Sequence, residues 1–396
     1  MRSRIVTLCA AALVLGISTG TIPAHAESTQ SKESTRSTTT YTKNRFAEIP
    51  LISDVAGKAD VTDPKLVNPW GLAMGKTLWV SNAGTGSATV YSGGAGLLTK
   101  EKTEVAIPGG TPTGQVFNGE EGFEVSSKGV TGPATFIFAS PSGAISGWNA
   151  EVSPGNAIIA AFTRRADYKG LAMMRTNRGS FLLAADFAHN RIDVFDDDFR
   201  RVRLAKGAYQ DGGLPRDYSA YNVEIVGNAV YVAYAKRDSE TGKSIAGKGF
   251  GFISRFTASG RFAGRVAARG ALNAPWAMIA APQGFGAYAG ALLVGNFGDG
   301  WINAYNPRNG RYLGPLRKAD GKAIAIEGLW DLEQGTAASG GENALWFSAG
   351  IQKAQHGLVG LIMPADAAST TAQPSASASP TASPTSSSNS NNNSGY

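Results

Sequence analysis

The sequence has a single cysteine and lacks any long apolar segment beyond its N-terminus. Cys9 is the only cysteine among 396 residues, and it lies in an apolar stretch near the start of the chain. If that stretch is cleaved, neither a disulfide nor a thiol nucleophile can contribute to the mature protein. No later segment approaches the roughly 20 consecutive apolar residues of a membrane helix, so we predict no membrane span.

The first 26 residues have the composition of a secretory signal peptide. Arg2 and Arg4 form a basic start, residues 5–17 are an apolar run, and Ala-His-Ala at 24–26 provides a small-residue cleavage site. We therefore expect residues 1–26 to be removed. The mature protein is predicted to be secreted and extracellular, with cell-wall association as a further option.

A dense basic block is also missing. Lys and Arg number 37 against 30 Asp and Glu, a formal net charge of +7, but the basic residues cluster only in pairs such as 164–165 and 200–201. Nucleic-acid binding requires a concentrated basic stripe, so we predict no nucleic-acid partner. The 42% hydrophobic share is enough for a large core, and 50 glycines indicate many turns between short strands.

Both ends of the chain have a polar, low-complexity composition. Residues 27–45 are rich in Ser, Thr and Lys, and residues 365–396 consist mainly of Ala, Ser, Thr, Pro and Asn. Such segments do not carry enough apolar surface to offset the entropy of folding. We predict a disordered N-terminal segment at 27–45 and a disordered tail at 365–396.

One pattern recurs six times between residues 46 and 364. Each copy has a Gly-containing entry segment, an apolar strand, a polar turn and a further strand, and repeats of this length with three or four strands each are propeller blades. The pattern predicts an all-β, six-bladed β-propeller. The apolar second strands are placed at 78–82, 135–140, 181–186, 230–234, 292–296 and 345–349.

The outermost strands indicate how the ring closes. The sixth copy lacks a fourth strand, whereas Phe46–Ser53 is a strand-like segment that belongs to no copy. We predict that it pairs with residues 357–362 and so removes two exposed sheet edges. Fourth strands of the other copies are predicted at 104–107, 157–162, 201–205, 262–267 and 312–316.

Four motifs within residues 46–363 carry a resemblance to a known family. They are Leu-Val-Asn-Pro-Trp-Gly-Leu-Ala at 66–73, Ala-Asp-Phe at 185–187, Leu-Asn-Ala-Pro-Trp at 272–276 and Val-Gly-Asn-Phe-Gly-Asp-Gly at 294–300. In these the chain resembles a family of exported bacterial β-propeller proteins, distantly similar to NHL-repeat propellers. The resemblance implies the fold and export but no particular reaction. More distantly the chain is similar to lactonase-like hydrolases and streptogramin-lyase-like propellers, which use a metal at the channel mouth.

In a propeller, the loops entering each innermost strand and those after each second strand share one face, around the channel mouth. Polar groups that converge there are the default site. The entry positions are Trp70, Thr113, Lys169, Asn222, Trp276 and Glu327, and the positions after the second strands are Asn82, Ser140, Asp186, Tyr234, Asn296 and Ala349.

Four of these side chains offer hard oxygen ligands, namely Asn82, Asp186, Asn296 and Glu327. Such a set suits Ca²⁺ or Mg²⁺. The alternative is that Asn and Asp cap turns by bonding their own backbone.

His189 and His356 follow the second strands of the third and sixth copies, which lie opposite each other in a six-fold ring. With Glu327 they are candidate catalytic residues, because histidine titrates near neutral pH. The alternative is that both are surface or turn-bonding histidines. No Gly-x-Ser-x-Gly elbow is present, which argues against one common serine-hydrolase arrangement.

The remaining candidates would contact a ligand directly: Trp70, Lys169, Asn222, Tyr234 and Trp276. An aromatic ring at a channel mouth stacks on a sugar or another flat ligand, or simply fills the funnel. Two functions follow. One is a monomeric binding or scaffold protein of the cell exterior that holds a carbohydrate, a peptide or a protein. The alternative is a metal-dependent, lactonase-like hydrolase or lyase acting at the channel mouth.

Overall fold

A computed structural model describes residues 44–371 of the chain. The predicted signal peptide lies outside these residues, as do residues 27–43 of the predicted N-terminal segment and residues 372–396 of the predicted tail. Among residues 44–371, no helix is both long and apolar enough to cross a bilayer.

Six small antiparallel sheets form the blades. The chain begins with strands β1 (Phe46–Ser53) and β2 (Val61–Thr62), and blades 1, 2 and 3 come next. Blade 1 contains β3 (Pro69–Met74), β4 (Leu78–Asn82), β5 (Ser87–Ser92) and β6 (Thr99–Ala106). Blade 2 contains β7 (Gln115–Phe117), then β10 (Phe136–Ala139), β11 (Ala144–Trp148) and β12 (Ile158–Phe162), after an inserted hairpin of β8 (Glu124–Ser127) and β9 (Val130–Pro133). Blade 3 contains β13 (Tyr168–Thr176), β14 (Gly179–Asp186) and β15 (Arg191–Phe195).

The last three blades complete the ring. Blade 4 contains β16 (Tyr218–Val226), β17 (Ala229–Arg237), β19 (Phe252–Thr257) and β20 (Phe262–Ala268), with β18 (Ser244–Ile245) beside β17. Blade 5 contains β21 (Pro275–Ala280), β22 (Leu292–Asn296), β23 (Ile302–Tyr305) and β24 (Tyr312–Pro315), with a 3-10 turn at Gly286–Tyr288. Blade 6 contains β25 (Leu329–Gln334), β26 (Leu345–Ala349) and β27 (Leu358–Pro364), with a helical turn at Ile351–Ala354. Helix α1 (Ala365–Thr371) follows and occupies the first residues of the predicted tail.

The predicted closure of the ring is confirmed. Strand β1 is the fourth strand of blade 6, antiparallel to β27, with Phe46 opposite Pro364 and Ser53 opposite Leu358. The Ser53 hydroxyl also donates to the carbonyl of Gly357 at 2.7 Å. The two ends of the propeller therefore share one sheet, and the predicted all-β, six-bladed architecture is the observed one.

Four of the five other predicted fourth strands are present, as β6, β12, β20 and β24. The prediction at 201–205 is wrong, because this segment makes only an isolated bridge between Arg201 and Phe195. Val202 and Leu204 instead pack against the cluster of apolar side chains between blades 3 and 4. Blade 3 therefore ends at its third strand, β15.

The core lies between neighbouring blades. All five residues of β4, β22 and β26 are buried, as expected for a strand covered on both faces by adjacent blades. Between blades 1 and 2, for example, Trp79 stacks on Phe136 with ring centroids 4.1 Å apart. The innermost strands β3, β7, β13, β16, β21 and β25 surround the central channel.

Five of the six innermost strands contain a β-bulge at the same point, which brings each strand close to its neighbour in the ring. At Gly170 the approach is so close that a Cβ atom would lie 1.7 Å from the Oδ1 atom of Asn222 in the next blade. Blades 1 and 2 carry glycine at the equivalent position, at Gly71 and Gly114.

Candidate functional site: the central channel

Four aromatic rings fill the channel at the face predicted to be its mouth. Trp70, Tyr221, Trp276 and Trp330 occupy equivalent positions in blades 1, 4, 5 and 6, just before or within the bulge. The rings of Trp70 and Trp330 stack with centroids 3.5 Å apart, and Trp276 stands nearly perpendicular to both. All four side chains are buried. We call this set the aromatic plug.

The aromatic plug closes one end of the channel. Trp276 is 1% exposed and Trp330 3%, so these residues cover one another and close the channel at this face. The Trp330 indole N–H donates to Asn68 Oδ1 at 3.0 Å. The indole N–H groups of Trp70 and Trp276 are buried without a hydrogen-bond partner among the described residues.

Two of the predicted ligand-binding residues border the plug. Lys169 occupies the equivalent position in blade 3, with its Nζ 5.5 Å from the Trp70 ring centroid and 2.8 Å from Asp167. Asn222 lies one residue after Tyr221 and donates from Nδ2 to the Trp276 carbonyl at 2.9 Å. Lys169 therefore interacts with the plug through its charge, while Asn222 ties two blades together.

Similar bonds link other blades at this level. The Gly71 amide donates to the Thr113 carbonyl at 2.9 Å, and the Thr113 hydroxyl donates to the Tyr168 carbonyl at 2.9 Å. The Leu72 amide donates to Asp331 Oδ2 at 2.8 Å, which joins blades 1 and 6. These bonds fix the diameter of the channel.

Below the plug the channel encloses about 430 Å³ and contains three carboxylates that sequence reasoning did not single out. Asp331 lies nearest the plug, and Glu224 and Glu333 lie one level further from it, at equivalent positions in blades 4 and 6. All three side chains are half-buried, because they face channel water but are surrounded by protein.

The channel raises the pKa values of all three carboxyl groups. Burial, followed by repulsion from Asp331, raises the pKa of Glu224 to about 8. Burial raises the pKa of Asp331 to about 7. Burial, followed by repulsion from Asp331 and Glu224, raises the pKa of Glu333 well above its usual value. The protonation of the channel carboxyl groups is therefore expected to change within the neutral to mildly alkaline range.

Within residues 44–371 no basic side chain forms an ion pair with any of these three carboxylates. Arg175 also lines the channel, but its guanidinium is 2.6 Å from Glu120 Oε1. The channel thus combines acidic groups that lack a basic partner among the described residues with an aromatic wall. This combination suits an organic cation, whose charge attracts carboxylates and aromatic faces alike.

The predicted metal ligands are each engaged within their own blade. Asn82 donates to Thr89 Oγ1 at 2.9 Å, and Asn296 donates to the Ala271 carbonyl at 2.8 Å and to Asp299 Oδ1 at 3.0 Å. The Oδ1 atoms of both asparagines are buried without a partner among the described residues.

Asp186 accepts from the amides of Asp167 and Ala188 and contacts Arg191 at 3.0 Å. Glu327 is exposed and accepts from the Lys353 amide at 3.3 Å. No hydrogen bond links any two of the four predicted ligands, and residues 44–371 contain no group of three or more His, Cys, Asp or Glu side chains placed to hold a metal ion.

The two candidate catalytic histidines have parallel environments. His189 Nδ1 lies 2.7 Å from Asp186 Oδ2, and His356 Nδ1 lies 2.7 Å from Asp54 Oδ2. In each case an aspartate whose side chain is at most 8% exposed orients the ring, while the histidine side chain itself stays 40% or 38% exposed. The sequence did not indicate Asp54, which lies 302 residues before its partner. No hydrogen bond or ion pair among the described residues joins either histidine to Glu327.

Tyr234, the last predicted ligand contact, lies at the end of the apolar part of β17. It is 1% exposed and packs within the apolar cluster between blades 3 and 4, with its hydroxyl unpartnered among the described residues. It therefore does not face the channel.

The fold and the channel define the class of this protein: a six-bladed β-propeller with a plugged, carboxylate-lined channel. The mimivirus protein R648 of Acanthamoeba polyphaga mimivirus is 34% identical over 324 residues, which cover 79% of this chain and 78% of that protein. Protein L690 of the same virus is 33% identical over 323 residues, covering 79% and 84%. The chain belongs to the family of these two proteins.

Other comparisons concern the fold alone. No protein-family model matches the chain. Hydrazine synthase from Kuenenia stuttgartiensis is similar in structure, with a TM-score of 0.42 and 16% identity over 74% of this chain and 77% of that one. Distant similarity to NHL-repeat propellers stays a prediction. The relatives named above are viral, so membership of a bacterial, exported family stays a prediction.

Proposed function

We propose that this protein is an exported binding propeller that holds an organic cation, such as an amine, in the channel below the aromatic plug. The observation that carries the proposal is the set of three carboxylates, Glu224, Asp331 and Glu333, that face one channel without a basic partner among the described residues. The sequence of residues 1–26 supports export.

The surroundings of the carboxylates favour an organic cation over a bare metal ion. Trp276 lines the same channel, and aromatic faces attract ammonium groups strongly when these are shielded from water. The carboxylates are not grouped as metal ligands. A channel of about 430 Å³ also has the size of a small-molecule site. The plug closes the face first predicted to receive the ligand, so we place the entrance at the opposite face.

The proposal is tested by titrating residues 27–396 with spermidine in a calorimeter. Deprotonated carboxylates bind a cation better than protonated ones, so we expect binding at about pH 9 and roughly tenfold weaker binding at about pH 5.5. At about pH 7, where Glu224 and Asp331 are still partly protonated, binding should release protons, which repeating the titration in buffers of different ionisation heat will reveal. The full chain has a formal net charge of +7, and residues 27–396, without Arg2 and Arg4, have 7 − 2 = +5, so general attraction of cations is not expected.

Matched variants distinguish the channel from the surface. Glu224→Gln with Glu333→Gln should weaken spermidine binding by about tenfold or more, while Glu121→Gln on an exposed loop should leave it unchanged. Binding that is absent at both pH values, or equal in the double variant and the wild type, would overturn the proposal. The divalent cation predicted from the sequence stays a separate prediction, and metal analysis of the same sample tests it.

A further inference from the structure

A groove of about 620 Å³ lies between β12, the outermost strand of blade 2, and β15, the last strand of blade 3. Among the described residues, no Asp or Glu lines this groove, and none of its lining residues also lines the central channel. It is therefore separate from the channel and opposite to it in charge. We call it the basic groove, and its basic residues are Arg164, Arg165, His189, Arg191 and Arg201.

Two of the arginines are held in place by buried carboxylates. Asp186 is fully buried and Asp193 is 2% exposed. Arg191 Nη2 lies 3.0 Å from Asp186 Oδ2, Arg191 Nε lies 3.0 Å from Asp193 Oδ1, and Arg201 also pairs with Asp193. The Tyr168 hydroxyl donates to the same carboxylate at 2.8 Å. The arginine side chains stay 31% and 45% exposed, so the fold orients them while leaving them accessible.

The ion pairs leave a surplus of positive charge. The four arginines of the basic groove contribute +4 and the two buried aspartates contribute −2, so the net charge is 4 − 2 = +2 with neutral His189. The surplus belongs to Arg164 and Arg165, which are exposed and form no ion pair within residues 44–371. An anion with two negative charges would match it.

Arg165 occupies a backbone position that normally suits glycine. The Ala166 amide donates to the Thr163 carbonyl at 3.2 Å, so residues 163–166 form a tight turn. Arg165 has a φ of 63°, in the left-handed region that turns usually give to Gly or Asn, because a Cβ atom crowds the backbone there. Residues in such conformations cluster at functional sites. An arginine at this position therefore favours a function for its charged side chain.

An exposed aromatic ring stands beside the charge. Phe162, at the end of β12, is 63% exposed, whereas Phe195 and Phe199 in the same groove are buried. A flat organic group stacks well on such a ring, and arginines bind phosphate through paired N–H groups. The volume of the groove lies in the range of small-molecule sites. The groove thus offers one surface for a phosphate and another for a flat organic group.

We propose that the basic groove binds a phosphate monoester of a flat organic group. The phosphate would lie among Arg164, Arg165 and Arg191, and the organic group would lie against Phe162. A phosphate monoester carries nearly two negative charges above its second pKa of about 6, which matches the surplus in the groove. A sulfate ester or a carboxylate carries only one charge and would leave part of this surplus uncompensated. The proposal does not depend on the cation proposed for the channel.

The test titrates the full chain with phenyl phosphate in a calorimeter at about pH 7.5, where the phosphate is doubly charged. We expect phenyl phosphate to bind at least about fivefold more tightly than inorganic phosphate, because only the ester reaches Phe162. Phenyl sulfate is the control for charge and should bind at least about fivefold more weakly than phenyl phosphate. The affinity for phenyl phosphate should fall as salt is added.

Protein variants then locate the site. Arg165→Gly removes one charge and relieves the left-handed backbone, so this variant should keep its thermal midpoint. Combined with Arg164→Gln it should weaken phenyl phosphate binding by about tenfold, whereas Arg308→Gln on an exposed turn of blade 5 should not change it. Phe162→Ala should weaken binding of phenyl phosphate but not of inorganic phosphate. Equal binding to the double variant and the wild type, or no preference for phenyl phosphate over inorganic phosphate, would overturn the proposal.

Discussion

Glu224 and Glu333 occupy equivalent positions on the innermost strands of blades 4 and 6, with blade 5 between them. Each lies opposite a bulky residue of its second strand, Tyr231 for Glu224 and Trp346 for Glu333. In blades 1 and 5 the same position holds Ala73 and Ile279. Two acidic groups therefore stand where an apolar side chain would suffice, and they repel each other unless one is protonated or a cation binds.

The first prediction concerns the pH dependence of stability. Because folding raises the pKa values of Glu224 to about 8 and of Asp331 to about 7, the native state binds more protons than the unfolded state between about pH 4 and about pH 8. The free energy of unfolding should therefore be highest in mild acid and fall as pH rises through the folded pKa values. Urea unfolding at a series of pH values measures this.

The substitutions Glu224→Gln and Glu333→Gln remove the charge and keep the shape. In alkaline buffer they should raise the free energy of unfolding by about 2 kcal/mol together, a value reduced for screening by channel water. In mild acid they should change little. A wild-type protein whose stability rises steadily from acid to alkaline pH would contradict the predicted sign.

The second prediction concerns the aromatic plug. Trp330→Ala removes a buried ring that stacks on both Trp70 and Phe297, so it should lower the free energy of unfolding by about 3–5 kcal/mol. Trp301→Ala, at a tryptophan that is 39% exposed, is the matched control and should cost less than about 1 kcal/mol. Chemical denaturation of both variants makes the comparison, and equal costs would mean that the plug does not stabilise the ring.

The third prediction tests the closing strand. Phe46 is 1% exposed and packs on Phe285, with ring centroids 4.7 Å apart. Phe46→Ala should cost about 3–5 kcal/mol, because it leaves a cavity where β1 joins blades 5 and 6. Phe262→Ala, at a phenylalanine 45% exposed on β20, should cost well under half of that. Thermal unfolding followed by circular dichroism distinguishes the two variants.

The fourth prediction concerns divalent cations. Asn82, Asp186 and Asn296 form their bonds within separate blades, so we expect chelation of purified residues 27–396 to move the unfolding midpoint by less than about 1 °C. One tightly held ion per chain, a lower midpoint after chelation, and loss of that ion in a folded Glu327→Ala variant would instead support the metal-dependent enzyme.

The blade count could be read from the sequence because second strands buried on both faces are nearly continuous apolar runs, such as Leu345–Ala349. The register of the innermost strands could be read only in part, since Trp70, Lys169 and Trp276 occupy equivalent positions as predicted. Glu327 was aligned with Trp70 and Trp276, but the structure places Trp330 at that position. A turn at Gly328 precedes β25, and loop length before a strand leaves no periodic signal in the sequence.

Other features depend on contacts between distant segments. The Asp54 carboxylate meets His356 only because β1 and β27 share a sheet. The channel carboxylates look like ordinary exposed positions in short strands, and only the ring places them in one confined space. The missing strand of blade 3 was hidden because residues 201–205 alternate apolar and polar side chains as an outer strand would.

The pairing of β1 with β27 also sets a condition on how the protein reaches its native state. Ser53 and Gly357 are 304 residues apart in the chain, yet they bond within one sheet. A fragment that lacks the C-terminal strand cannot close the ring, so blade 6 can be completed only when both ends of the propeller are present. Contacts between such distant residues form slowly. During synthesis, the strand that pairs with β1 therefore becomes available only after the other five blades have been made.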